Sequence, residues 1–315
     1  MAKKKFDPYQ VITDSIIEAL EAGTQPWRAQ WQGLGGCTLR PISGGSGKEY
    51  RGINVLLCWA TAQAMGYWSN QWHTYKGATE KGGQVRKGEK STRIVFWKFY
   101  PKKDGRGQPV IGPDGKPETI PTLRLFSVFN ACQIEWPEGN KSDPGPMPTV
   151  EDHDGSEAGD QFGQAKDVLD AWSDVVDVEH GGNRAYYSPS EDRIQLPKFE
   201  QFEDEAAYFS VAFHEAGHST GHKSRLDRDF NKSKRFGDQA YAFEELVAEL
   251  TAAFLSADCG ISQPAEPRAD HASYLAEWLK VLKKDKKAII HAASQAEKAA
   301  KLILENAEVA EMAAK

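Results

Sequence analysis

Two histidines and a glutamate fall within five consecutive residues, His214-Glu215-Ala216-Gly217-His218. Residues four apart on an α-helix face the same way. That spacing lets both imidazoles offer nitrogen to one divalent ion, while Glu215 sits beside them where it reaches a metal-bound water. The chemistry of such a set is hydrolysis, in which the metal acidifies the water and Glu215 takes its proton. This is the constellation of a metal-dependent peptidase, with Zn2+ as the expected ion and Mn2+ left open. The competing expectation is a helix with two surface histidines and a chance glutamate; with only 8 histidines in 315 residues, coincidence is the weaker account.

The motif requires a helix, and residues 203–220 predict one. Glu203, Asp204 and Glu205 suit the positive end of the helix dipole, Val211 and Phe213 add apolar bulk, and Gly221 is a stop. A hydrolytic site takes a third protein ligand and leaves the fourth position for water. The next helix is predicted over 238–257, capped by Asp238. Phe243, Leu246, Val247, Leu250 and Phe254 make it apolar around most of its circumference and hence mostly buried. Glu245 and Glu249 lie one turn apart beside Ala248 and Ala252, pointing into a confined space that unpaired charge does not tolerate. Glu245 as third ligand, with Glu249 orienting a ligand imidazole, resolves that cost. Glu249 and His222 stand as rival ligands. On an unbroken helix His222 lies about 12 Å from His214, too far to share an ion, and Ser224 occupies the place of a metzincin's third histidine. Upstream, Arg184 to Pro197 reads as two short strands around a Ser-Pro-Ser-Glu-Asp turn. An exposed edge there would hold an extended peptide through main-chain hydrogen bonds; a plain structural hairpin is the alternative.

Charge is unevenly distributed. Residues 1–140 carry 19 Lys and Arg against 12 Asp and Glu, and the remainder carries 20 against 33. Trp27, Trp31, Trp59, Trp68, Trp72, Trp97 and Trp136, seven of the nine tryptophans, share the basic part with Arg28, Arg51, Lys76, Arg86, Lys87, Lys90, Arg93 and Lys98. Single-stranded nucleic acid asks for this pairing, since cations follow the phosphates and flat rings stack unpaired bases at roughly 1–3 kcal/mol each. The competing expectation is that most of these tryptophans form a core and the lysines a solvated face. Pro, Gly, Asp and Glu dominate from Pro137 to Gly163, so the organisation expected is two domains with two ordinary cores: 1–140, a linker at 141–163, and 164–315. Cys37, Cys58, Cys132 and Cys259 show no paired spacing, which argues against a disulfide framework or a cysteine-rich zinc site. The opening Met-Ala-Lys-Lys-Lys-Phe lacks a signal peptide's apolar stretch and no segment approaches membrane-spanning length. A cytoplasmic location without membrane association is expected. From Lys280 on, Ala, Lys and Glu at helical spacing predict a solvated terminal helix.

Tyr186 through Leu255 resembles the zincin-type peptidase domain of the ArdC antirestriction proteins, itself similar to the IrrE and ImmA regulatory peptidases. The resemblance is carried by Arg193-Ile-Gln-Leu, the HEAGH motif, Thr220-Gly-His-Lys-Ser-Arg-Leu-Asp-Arg228, and Arg235 through Leu250. It implies a metal held by two histidines and a downstream glutamate, at a gap like that to Glu245. A second resemblance, to the family's amino-terminal DNA-binding domain, rests on four pieces. These are Ile16 to Gly23 with Pro26-Trp27 and Trp31; Ser46-Gly-Lys-Glu-Tyr-Arg-Gly-Ile-Asn54; Gly83-Gln-Val-Arg-Lys-Gly-Glu-Lys90 leading to Ile94-Val-Phe-Trp-Lys98; and Val128-Phe-Asn130. The insert from Lys102 to Glu118 departs from the short form and predicts a loop or hairpin tip. The resemblance therefore implies an α+β protein with a small N-terminal single-stranded-DNA-binding domain and a C-terminal zincin-like metallopeptidase domain. It would be an antirestriction protein of a plasmid, phage or other mobile element, with single-stranded DNA and a protein or peptide substrate as partners. The DNA-binding residues expected are Trp27, Trp31, Lys48, Arg51, Arg86, Lys87, Lys90, Arg93 and Lys98. One rival is a DNA-binding protective module whose metal site is not catalytic. Another is a fragment or relative of a plasmid primase with this N-terminal module, weakened by the lack of zinc-ribbon cysteines and recognisable polymerising acids.

Overall fold

The computed structural model describes residues 6–23, 25–28, 40–147, 162–228, 239–261 and 271–314. Trp31, Cys37, the capping role of Asp238 and most of the expected linker lie outside the described residues. Helix α1 (Pro8–Glu21) starts at Asp7, whose carboxylate accepts from the Tyr9 and Gln10 amides, and buries Ile12, Ile16, Ile17 and Leu20. Helix α2 (Ile53–Met65) is entered through Gly52 at φ +56°, with the Ala293 carbonyl 3.6 Å from where a Cβ would stand. Strands β1 (Ile42–Ser43), β2 (Gln71–His73), β4 (Thr92–Pro101) and β5 (Thr119–Asn130) form one sheet in the order β1-β2-β5-β4. The β1–β2 pairing is parallel and the others antiparallel. Helix α3 (Tyr75–Glu80) precedes a small antiparallel pair, β3 (Gln84–Val85) and β6 (Ile134–Glu135). The insert 102–118 is the tip of the β4–β5 hairpin, as expected, cross-bridged at Lys103–Pro109 and Ile111–Pro117.

Next come helix α4 (Gly163–Ser173) and strands β7 (Asp177–His180), β8 (Tyr186–Ser188) and β9 (Arg193–Leu196), ordered β7-β9-β8, so that β8 is an edge. The hairpin expected at 184–197 is present as β8 and β9, antiparallel in register Tyr187–Ile194. The strand parallel to β9, β7, had no clear sequence signal. Helices α5 (Glu205–Ser219), α6 (Gln239–Asp258), α7 (His271–Lys284) and α8 (Ala288–Ala314) complete an α+β fold.

Two expectations are corrected here. The halves do not have separate cores: one connected apolar core runs through both. Trp27 meets Trp278 of α7 edge-on at 5.7 Å between ring centroids, and Trp59 of α2 meets Phe254 of α6 at 6.0 Å. Arg40, 3% exposed, donates to Asp258 of α6 (2.5 and 2.9 Å) and Glu297 of α8 (2.8 Å), and Glu297 also accepts from the Gly52 amide. Nor is the C-terminal helix merely solvated. Ile289, Ile290, Ala292, Ala293, Ala296, Ala299, Ala300 and Ile303 are buried on α8, whose small side chains let α2, α4 and α6 pack closely on it. Alanine's weak hydrophobicity concealed that face.

Candidate metal centre and the surfaces around it

Helix α5 forms as its sequence dictates, with the Asp204 side chain accepting from the Ala207 amide, and Tyr208, Phe209, Ala212, Phe213 and Ala216 buried. Helix α6 lies against it at very short range. A Cβ on Gly217 would stand 3.1 Å from Thr251 Cβ and 3.2 Å from Ala248 Cα, so the glycine inside the motif is what admits α6. The approach aligns a ladder of opposite direction: His214 faces Glu245 and Glu249, and His218 faces Glu244 and Glu245.

Glu245 is the shared member. Its Oε2 lies 3.4 Å from His214 Nε2 and its Oε1 3.5 Å from His218 Nε2, while the two Nε2 atoms are 3.2 Å apart. One ligand atom from each of His214, His218 and Glu245 falls within 4.8 Å of the others, the one such group of three among the described residues. The remaining ring nitrogens point outward to carboxylates. His214 Nδ1 is 3.5 Å from Glu249, and His218 Nδ1 is 3.3 Å from Glu244. Glu249 thus lies behind the His214 imidazole, on the side away from Glu245. His222 turns away to Ser224 Oγ (2.7 Å) and Asp192 (3.6 Å).

Glu244 was missed by the sequence reading. Arg228 grips it with two donors (3.0 and 2.7 Å) and also donates to the Gly217 carbonyl (2.8 Å) and Thr220 Oγ1 (2.7 Å). Nothing local signals this pairing, because Arg228 and Glu244 are brought together across the segment between the two helices.

The electrostatics call for a cation. Burial disfavours a charged imidazole at His218, yet Glu245 and Glu244 outweigh it and lift the ring to about 10. Against its own burial, Glu245 is held far below the carboxylate range by His218 and His214. Two nitrogens and one oxygen, converging with their far sides fixed by carboxylates, fit a divalent ion of the zinc or manganese type.

Glu215 is buried beside these groups and lines the same cleft of about 670 Å³, and its carboxylate has no hydrogen bond or ion pair with any described residue. Across the cleft stand the chain from Asn183 to Tyr187, which includes the start of edge strand β8, and Tyr241 and Tyr274, whose hydroxyls meet at 3.2 Å. The two tyrosines had no role in the sequence reading; Tyr241 precedes Glu245 by one helical turn, which was the available signal.

Two families match the chain in turn. The N-terminal domain of the anti-restriction factor ArdC matches residues 6–129, and a zincin-like metallopeptidase family matches residues 165–295. The crystal structure of the antirestriction ArdC protein from plasmid R388, metal-free, superposes with a TM-score of 0.74 at 39% identity, covering 96% of this chain and 98% of that one. The chain belongs to the ArdC antirestriction family. The Mn(II)-bound structure of the same R388 protein gives a TM-score of 0.71 over the same shares. An uncharacterised protein, y4eC, of Sinorhizobium fredii is 40% identical over 298 residues, 93% of this chain and 90% of that protein. The DNA primase TraC of Escherichia coli is 35% identical over 316 residues, but this chain spans only 28% of the primase. The likeness to primases thus extends over both halves, beyond the N-terminal module to which the sequence reading had limited it.

The expected DNA-binding residues are spread out. Lys48, Arg51, Lys87, Lys90, Arg93 and Lys98 are exposed. Arg86 is half-engaged with Glu89 (3.0 Å) and the Cys132 carbonyl (2.5 Å), and Arg51 lies 3.9 Å from Glu297. Trp27 is the correction: only 2% exposed and packed on Trp278, it offers no face to a base. Trp59 and Trp72 are buried as well, so the competing expectation of a tryptophan core holds for these three. Among the described residues, no helix is long and apolar enough to cross a membrane.

Proposed function

We propose that this chain is an antirestriction protein that binds single-stranded DNA through its basic N-terminal half and hydrolyses peptide bonds at the α5–α6 site with a divalent metal, zinc or manganese. The observation that carries the peptidase reading is the convergence of His214, His218 and Glu245 beside Glu215, a carboxylate without a partner among the described residues in a cleft bordered by a strand edge. A metal site that served only structure would have no use for that carboxylate.

In this reading His214, His218 and Glu245 hold the ion, and Glu249 and Glu244 fix the two imidazoles from behind. When bound, the ion acidifies water and polarises the scissile carbonyl. Glu215 takes the water's proton on its carboxylate and delivers it to the leaving amine. The β8 edge accepts an extended substrate through main-chain hydrogen bonds.

The test combines two assays on the full chain: digestion of casein or a host lysate, and gel shifts with single- and double-stranded DNA. Wild type is expected to cleave and to shift single strands, and Glu215→Gln to shift without cleaving. A wild type that holds metal and shifts DNA but digests nothing sustains the rival, a protective module with a non-catalytic metal site.

A further inference from the structure

Strands β4 and β5 pair from Thr92–Val128 to Pro101–Thr119 and project as a two-stranded ribbon. Side chains alternate across such a ribbon, and directly paired residues share a face. One face carries residues 94, 96, 98 and 100 of β4 opposite 126, 124, 122 and 120 of β5. Its base is sealed by Ile94, at 1% exposure, but beyond it Phe96 (50%), Phe126 (49%), Tyr100 (36%) and Ile120 (51%) stand in solvent. On the opposite face Val95 and Leu123 are buried and Trp97 (43% exposed) leans on Tyr9 of α1 at 6.3 Å, leaving Phe99 (62%) as an exposed ring there without a cation beside it. The free face is therefore an apolar surface of the kind that marks a binding site.

Its composition selects the occupant. Phe96 and Phe126 form an edge-to-face pair at 5.2 Å. Next to them the Arg124 guanidinium lies 5.7 Å from the Tyr100 ring and donates to its hydroxyl (3.2 Å), and Lys98 Nζ lies 5.6 Å from the same ring. Neither strand contains an acidic residue. From residue 91 to 126 there are seven Lys or Arg against three Asp or Glu, and all three acids lie in the tip, 102–118. A protein partner would cover the rings but would have to place carboxylates among them, in register with the two cations. Single-stranded nucleic acid supplies both parts, bases for the rings and phosphates for the cations.

We infer that the outer face of the β4–β5 ribbon, with Phe96, Tyr100 and Phe126 as stacking rings and Lys98 and Arg124 as phosphate contacts, is the surface on which this protein binds single-stranded DNA. The inference rests on the DNA-binding reading above and gives it a location. Arg86, Lys87 and Lys90 lie on the turn that leads into β4.

The test is fluorescence anisotropy of a labelled oligothymidylate with the full chain and its variants, alongside light scattering and thermal melts. Phe96→Ala, Tyr100→Ala and Phe126→Ala are each expected to weaken binding about fivefold or more, as loss of one stacked base requires. Lys98→Glu with Arg124→Glu keeps the rings and is expected to lower the salt slope by about 0.7 per lost phosphate contact. Lys301→Glu, an exposed cation on α8, is the control and should change nothing. If wild type binds and the platform variants, folded by melting, bind equally well, the location is wrong while the DNA reading stands. A wild type that binds no oligothymidylate overturns both. A wild-type dimer that Phe96→Ala and Phe126→Ala convert to monomer, with DNA affinity unchanged, assigns the face to self-association and overturns the inference.

Discussion

Glu244→Gln tests whether the groups behind the imidazoles tune the metal centre. Glu244 is not one of the three converging ligands; it accepts from His218 Nδ1 at 3.3 Å and is clasped by Arg228. Glutamine preserves the shape and a hydrogen bond but removes the charge that orients and polarises the ring. Loss of such a partner typically costs 10–100-fold in metal affinity, which is about 1.4–2.8 kcal/mol. The fold should lose less than a broken buried ion pair usually costs, because Arg228 keeps the Gly217 carbonyl and Thr220 Oγ1; about 1–3 kcal/mol is expected. Competition between the metal-free protein and a chromogenic chelator for zinc measures the affinity, and a denaturant melt the stability. His214→Ala, His218→Ala and Glu245→Ala, each deleting a ligand atom, should leave almost no bound metal. Glu249→Gln should fall in the intermediate band with Glu244→Gln. An affinity within twofold of wild type in Glu244→Gln refutes the supporting role, and a site emptied by Glu249→Ala but not by Glu245→Ala reverses the ligand assignment.

Three further outcomes are expected. Glu215→Gln should retain wild-type metal content and melting temperature and lose peptide cleavage, because an amide does not accept the water's proton; equal digestion rates would remove Glu215 from the chemistry. His73 is buried with neither ring nitrogen hydrogen-bonded among the described residues, and burial, with Lys81 adding to it, lowers its pKa to about 4 from an ordinary 6.5. The unfolded chain therefore takes this proton more readily than the folded one, so stability is complete above about pH 6.5 and falls by up to about 3 kcal/mol as the pH drops to 4. His73→Phe should flatten that part of the acid limb, measured by urea melts across the window, and an unchanged limb would rule His73 out as its source. Arg40→Met should destabilise the whole chain by roughly 3–5 kcal/mol, because Asp258 and Glu297 are left without their buried partner; a loss under about 1 kcal/mol would mean the clamp holds nothing.

What the sequence revealed followed from how local the signal was. The two histidines, Glu215 and Glu245 were legible because ligand geometry on a helix is a spacing of four, and because a carboxylate amid Leu246, Val247 and Leu250 needs a reason to be buried. Glu244 was not, since its partner comes from beyond the helix. The tryptophans misled because composition counts rings without saying which way they face: Trp27 fills the core, while unremarked Phe96, Tyr100 and Phe126 stand in solvent. The β4 sequence Thr-Arg-Ile-Val-Phe-Trp-Lys-Phe-Tyr-Pro is apolar on both alternations, so period two could not select its free face.

The shared core changes what any experiment on one half can mean. Helix α6 carries Glu245 and Glu249 about its middle, and Phe254 and Asp258 toward its C-terminal end, where Trp59 and Arg40 grip it from the other part of the chain. Cutting at residue 140 would expose Trp27 and Trp59 and leave Arg40 without its carboxylates, so an excised N-terminal piece that fails to bind DNA would report misfolding rather than a misplaced interface. Point variants on the intact chain avoid that ambiguity. The same continuity predicts one cooperative unfolding transition, in which a metal held at α5 and α6 stabilises the N-terminal half equally. At a hundredfold excess over its Kd the ion contributes about 2.7 kcal/mol. Tryptophan fluorescence, which mainly reports the N-terminal half, should therefore shift together with helical circular dichroism when metal is added. Two separate melts, with only the later-sequence helices responding to the ion, would show that the contacts of Arg40, Trp27 and Trp59 do not couple the halves.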